Sequence, residues 1–164
     1  MSEEETKNAA PQQDVAQSFE IRKIYVKDVS FESPNSPVIF TDGQWKPETN
    51  VQIKGSNNEL EKGLYEVVLT LTVTVKQNDK TAFLIENQQA GIFAINGYPD
   101  ESLQGILGAY CMEALFPYAR EALDSLVIKG GFPPLMLNAI DFNALYQQQL
   151  QAGQAAPVGQ DAQH

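Results

Sequence analysis

From Tyr65 to Lys76 the chain alternates between apolar and polar positions. Tyr65, Val67, Leu69, Leu71, Val73 and Val75 take the odd places, and Glu66, Val68, Thr70, Thr72, Thr74 and Lys76 the even ones. A period of two over twelve residues, rich in β-branched types, predicts a long strand with one buried face. Gln77-Asn78-Asp79-Lys80 has turn chemistry. A second run follows, with Phe83, Ile85, Phe93 and Ile95 on its odd face, so 64–95 reads as a long antiparallel hairpin. An even-length loop would leave the two odd faces out of phase. An odd-length connection or a bulge is therefore expected near Asn78-Asp79.

Two strands precede the hairpin. Over 19–31 the odd positions Phe19, Ile21, Tyr25, Val29 and Phe31 are apolar, with Ile24 and Val26 as exceptions among the even ones. SPNSP (33–37) ends this strand, since proline cannot continue the ladder. Phe40 and Trp45 sit in the polar loop that follows, which predicts a segment folded over something apolar. Val51 and Ile53 alternate with Gln52 and Lys54, giving a short strand closed by Gly55-Ser56-Asn57-Asn58.

The period then changes. Asp100 is a candidate N-cap, and Leu103, Ile106, Leu107, Tyr110, Ala114 and Leu115 recur at helical spacing. Pro117 is expected to kink this helix or begin a new one. Ala119, Ala122, Leu123, Leu126 and Val127 resume the stripe, and Gly130-Gly131 close it. Gly105, Gly108, Ala109, Met112 and Phe116 lie off the stripe. That second apolar side predicts oligomerisation. Past Phe132-Pro133-Pro134, Asp141 caps a last helix with Phe142, Leu145, Tyr146 and Leu150 on one stripe. Its thin stripe suits a helix lying over a groove. Residues 1–17 and 152–164 lack periodicity and read as disordered tails around a single domain, 18–151.

Net charge of −10 and a pI near 4.4, with acids spread along the chain, offer no basic surface to phosphates. Nucleic acid and anionic membrane are excluded as main partners, and a basic protein is not. The one cysteine, Cys111, rules out an internal disulfide and fits a reducing compartment. The first residues lack an apolar signal core, and no apolar run nears the ~20 residues of a membrane span. A cytoplasmic protein without membrane insertion is expected.

Catalytic chemistry is scarce. His164 is the one histidine, so Ser/His and Cys/His nucleophilic arrangements and metal spacings are not supported. Neither a GxxxxGK(S/T) phosphate loop nor GxGxxG occurs. Asp28 and Glu32 share one strand face, but at ~3.3 Å per residue their α-carbons lie about 13 Å apart. A solvated sheet face accounts for them better than acid–base work. No enzyme activity, cofactor or metal is expected.

Several runs carry a resemblance: IYVKDVSFESPNSP (24–37), YEVVLTLTVTV (65–75), QQAGIF (88–93), LGAYCMEALFPYAREAL (107–123) and GGFPPLMLNAIDFNALY (130–146). The chain resembles the SecB protein-export chaperones over nearly all of 18–151. It departs where Met112 and Ala139 stand at positions often held by proline, and its tail is short of acids. The resemblance implies an α+β protomer: a four-stranded antiparallel sheet, a long kinked helix and a shorter C-terminal helix. It also implies a homotetramer, a dimer of dimers, that keeps precursor proteins unfolded without hydrolysing ATP and delivers them to SecA.

Carried over by position, the resemblance points to Asp28, Glu32, Leu84 and Glu86 for SecA docking. All four are even-numbered, opposite the apolar odd faces. For clients it points to Val51, Ile53, Tyr146 and Leu150, with Trp45 in the matching crossover loop, together framing a groove beside the last helix. Taken alone, these residues read better as closing a small satellite core. Ile85, Asn87 and Gln89 match a stretch that bears on assembly, and Tyr110 and Cys111 belong to the same expected oligomer interface. Two rival readings remain at this point. One is a small-molecule enzyme or carrier, which needs a closed, polar-lined pocket. The other is a related chaperone dedicated to an antitoxin.

Overall fold

The computed structural model describes residues 15–155. The expected tails lie mostly outside them, although the last helix runs four residues beyond 151, to Ala155. Four strands, β1 (Ser18–Glu32), β2 (Glu48–Glu61), β3 (Leu64–Gln77) and β4 (Lys80–Asn96), form one antiparallel sheet in the order β1-β4-β3-β2. The segment between β1 and β2 crosses from one sheet edge to the other and holds a short 3-10 turn, Val38–Thr41, with Ile39 buried.

The hairpin solves its phase problem with a bulge. Asn78 and Asp79 form a two-residue turn, both at positive φ (49° and 62°), the geometry that matches strand twist. The register then shifts between Val75 and Lys76, leaving Ala82 as the extra residue. Beyond it odd residues pair with odd ones, from Val75–Phe83 to Tyr65–Phe93, and the shared face is core.

β1 carries two such shifts against β4, between Ile21 and Lys23 and between Val26 and Asp28. Each reverses the parity of the following residues. Ile24 and Val26 therefore face the same side as Ile21 and Val29, which explains the two exceptions in the pattern. Tyr25, expected on the apolar face, is turned to the other side. There its hydroxyl donates to Glu66, which also receives Lys27 Nζ at 2.7 Å.

β2 is longer than expected. It continues through Gly55-Asn58 to Glu61, and the turn falls at Lys62-Gly63, with Gly63 at φ 77°. An edge strand whose second half is solvated needs no apolar alternation, because its ladder bonds to β3 hold it.

The helical layer covers β3 and β4. It runs unbroken from α1 (Asp100–Gly105) through a π-helical segment (Ile106–Tyr110) into α2 (Cys111–Lys129). Asp100 is the first helical residue and Pro99 the cap position. Pro117 lies inside α2. It withholds a donor from the Glu113 carbonyl without ending the helix. Gly131, at φ 87°, closes it as expected. Leu107, Leu115, Ala119, Leu123 and Val127 pack on the odd residues of β3 and β4.

The second apolar side of this helix is covered by the chain itself. Met112 lies against Gly55 of β2, Phe116 meets Phe142 edge-on at 5.6 Å, and Tyr146 rests on Gly108. The last helix, α3 (Phe142–Ala155), thus supplies the surface for which the sequence suggested another copy. What stays exposed is elsewhere: Ile21, Val26 and Val29 on β1, and Tyr110, Tyr118 and Ile128 on the long helix.

Candidate functional site

α3 is placed by its own first turn and by the π-helical segment beneath it. The Asp141 carboxylate accepts the Ala144 N–H at 2.9 Å, the expected N-cap. Phe142 is buried, while Leu145 and Tyr146 are half-buried. Tyr146 comes so close to the long helix that only glycine fits below it at position 108. Its ring divides the surface beside α3 into two open clefts.

One cleft, of about 380 Å³, lies between β2 and α3. Val51, Ile53, Leu69, Met112, Phe142, Leu145 and Tyr146 give it apolar walls, and Asn57, Gln104 and Gln149 are its polar lining residues. No charged side chain lines it. The other, of about 540 Å³, lies on the far side of α3 over Gly105, Ile106, Ala109 and Tyr110, with Leu150 and Tyr146 on one wall and Glu101 and Glu113 among its lining.

The expected groove is therefore three places. Val51, Ile53 and Tyr146 meet in the first cleft, and Leu150 faces the second. Trp45 joins neither. It packs on Phe132 at 5.6 Å, with Phe40 at 5.0 Å and Phe83 at 4.8 Å from the same ring, beside a hollow of about 160 Å³. Gln77 pins this loop from β3: it accepts the Lys46 N–H and donates to the Gln44 carbonyl. Phe40 nevertheless keeps half its surface in solvent. Met112, Gly55, Phe40 and Phe132 were not among the residues expected to frame the groove. Nothing in the pattern marks a glycine of β2 as the seat of a methionine three turns into a helix.

The opposite sheet face gathers the acidic positions. Glu32 pairs with Leu84, Ser30 with Glu86 and Asp28 with Gln88. Asp28, Glu32 and Glu86 thus surround Leu84 and Ser30 on one side, away from the helices. Asp28, Glu32 and Leu84 are exposed, and Glu86, half-buried, accepts the Thr72 hydroxyl at 3.2 Å. Next to this patch, Glu66 is held below the usual carboxylate range by hydrogen bonds from Lys27 and Tyr25. The Tyr25 hydroxyl is pushed up to about 12 by burial and by Glu66.

Ile85, Asn87 and Gln89 lie on the helix-facing side and are buried within the single chain, as is Cys111. Burial pushes the Cys111 thiol up to about 12, so it stays protonated. Of the five residues expected at an oligomer interface, only Tyr110 offers free surface. Gln89 donates to the Tyr25 carbonyl beside the second β1 bulge. The Asn87 amide has no hydrogen-bond partner among the described residues.

A family description, preprotein translocase subunit SecB, matches residues 12–153. The protein-export protein SecB of Nitrosococcus oceani is 54% identical over 157 residues, covering 95% of this chain and 96% of that one. That of Methylococcus capsulatus is 53% identical over 136 residues, covering 83% and 87%. Among solved structures, the fold is similar to a SecB-like chaperone of Mycobacterium tuberculosis in complex with a ChAD peptide from the HigA1 antitoxin. The TM-score is 0.63 at 16% identity, over 74% of this chain and 90% of that one. With a family match over residues 12–153 and relatives more than half identical along most of both chains, this chain belongs to the SecB protein-export family.

Proposed function

We propose that this chain is an ATP-independent cytoplasmic chaperone that keeps newly made precursor proteins unfolded and delivers them to SecA. The observation that carries the reading is the pair of open clefts flanking Tyr146. A folded small domain normally buries such surface. Here one apolar trench, a second of mixed lining and an aromatic loop stay accessible, which suits extended chain of loosely defined sequence. Binding only the unfolded state holds a client from folding by mass action. Several weak sites in one assembly add avidity while each contact stays reversible.

The homotetramer belongs to this proposal. Ile21, Val26 and Val29 line the helix-facing side of the edge strand β1, and a second copy would bury them. Ile85, Asn87, Gln89 and Cys111 would influence assembly through the packing beneath the long helix rather than by contact. The acidic face around Leu84 would take a basic segment of SecA, steered by opposite charge.

The test is the affinity of the intact assembly for an unfolded precursor after Tyr146→Ser and Leu150→Gln. About a tenfold loss or more is expected, on the scale of one large apolar side chain. Undiminished affinity at unchanged mass by light scattering would remove the clefts from the account.

A further inference from the structure

Three successive residues between α2 and α3 are tied to α2 by side chains one turn apart. Asp124 Oδ1 accepts the N–H of Leu135 at 2.9 Å and that of Met136 at 3.4 Å. Arg120 directs Nη1 to the Leu137 carbonyl at 3.5 Å, and its guanidinium lies 5.6 Å from the centre of the Phe116 ring. Met136 has φ 49°, a left-handed conformation in a residue other than glycine, and the residue is 75% exposed. Such a backbone persists only where its surroundings impose it. An exposed side chain imposes nothing; the half-buried Leu135 and Leu137 on either side pack on the core, and the bonds to Asp124 fix the backbone between them.

The strap sets where α3 begins. Five residues after Met136 comes the Asp141 cap, and Phe142 then locks against Phe116, the ring beneath Arg120. Two successive turns of α2 thus fix both the height of the strap and the first buried residue of α3. Neither Asp124 nor Arg120 lines either cleft. A change at them can reach a bound chain only through the placement of α3.

We propose that Asp124, assisted by Arg120, is a positioning residue for client binding: it sets the seating of α3 and with it the width of the clefts beside Tyr146. This rests on the reading of those clefts as the client surface. Asp124 is the stronger tie because a carboxylate accepts backbone N–H groups more strongly than a neutral oxygen does. Lifting the strap would exchange those bonds for water and relax Met136.

The experiment compares Asp124→Ala with Asp124→Asn in the full chain. Amide hydrogen exchange is followed over 142–155, and dissociation is followed for α-lactalbumin kept unfolded by blocked thiols. Asp124→Ala is expected to speed α3 exchange about tenfold, the scale of one charged hydrogen bond, and to speed client release by a similar factor. Exchange in β3 and β4 stays as in the parent. Asp124→Asn, which keeps an acceptor oxygen without the charge, restores part of both. Arg120→Gln, the weaker tie, gives a smaller change of the same sign and serves should the alanine variant fold poorly. Unchanged α3 exchange, or an asparagine variant as impaired as the alanine one, overturns the strap. Faster exchange with unaltered release overturns the positioning role. If Tyr146→Ser also binds normally, the fault lies in the cleft reading, which the exchange data leave separate.

Discussion

A β-carbon on Gly108 would come within 2.6 Å of Cδ2 of Tyr146. The phenol ring occupies the space that any other residue at 108 would fill. Gly105, one turn earlier, is different: the nearest atom to its missing β-carbon is Tyr146 Cε1 at 3.9 Å, an ordinary contact. Gly108→Ala should force α3 outward at a cost of about 1–3 kcal/mol. Gly105→Ala should be neutral or stabilising by up to ~1 kcal/mol through helix propensity. Thermal midpoints and α3 hydrogen exchange of the pair check this. Equal behaviour of the two variants would mean that Tyr146 is not seated on the helix.

Asn87 is a buried polar side chain between Val29 and Leu71 on the sheet. With neither amide atom bonded among the described residues, it costs its desolvation, roughly 1–3 kcal/mol. Asn87→Leu is expected to raise the thermal midpoint by about 2–4 °C per kcal/mol recovered. A lower midpoint would show that the amide has a partner or that leucine overfills the site. Asn87→Arg, by contrast, buries a charge and should loosen both core and assembly, seen as a smaller mass on sizing.

The proposed docking at the acidic face should depend on ionic strength, because Asp28 and Glu32 are exposed and exposed charges are screened beyond a Debye length of ~10 Å at 0.1 M salt. Affinity for SecA is expected to fall as salt rises, and Glu86→Gln to lower it further. Thr72→Val, which frees Glu86 from its hydroxyl partner, should have a smaller effect of the same sign. Salt-independent affinity would refute the electrostatic account.

The Tyr25–Glu66–Lys27 cluster gives stability two pH limits. Glu66 is held below its ordinary 4.5, so its contribution is present above that value and is lost as pH falls further. Tyr25 is pushed from 10.0 to about 12, so its contribution is complete below pH 10 and is lost as pH rises towards 12. Urea midpoints across pH should show both limbs. Tyr25→Phe should lessen the alkaline limb, to which Cys111 and Tyr65 also contribute, and weaken the acid one, and a variant with both limbs unchanged would place their origin elsewhere.

The sheet was legible where one face is buried and the other wet. Val67 to Val75 and Phe83 to Ile95 declared themselves by alternation, and even the need for a bulge followed from parity. β1 was harder because its two extra residues shift the phase, yet Ile24 and Val26 were the trace of that shift. The far half of β2 left no trace, since an edge strand solvated on both sides is held by its backbone. The acidic face was readable by the same parity. The clefts were readable only in part. Tyr146, Val51 and Ile53 converge as expected, but Trp45 belongs to Phe132 and Phe40. Which aromatic a loop residue meets is decided by how the crossover runs, and local pattern carries no information on that.

The two register shifts in β1 have a consequence for insertions and deletions. A chain one residue shorter at Arg22 or Lys27 would keep every later side chain on its present side and merely straighten the strand. Shortened at Ser30 instead, it would send Phe31 towards water and Glu32 into the apolar interior. Sequence length at this edge is thus constrained unevenly: two places forgive a lost residue, while a loss beyond them turns the end of the strand inside out.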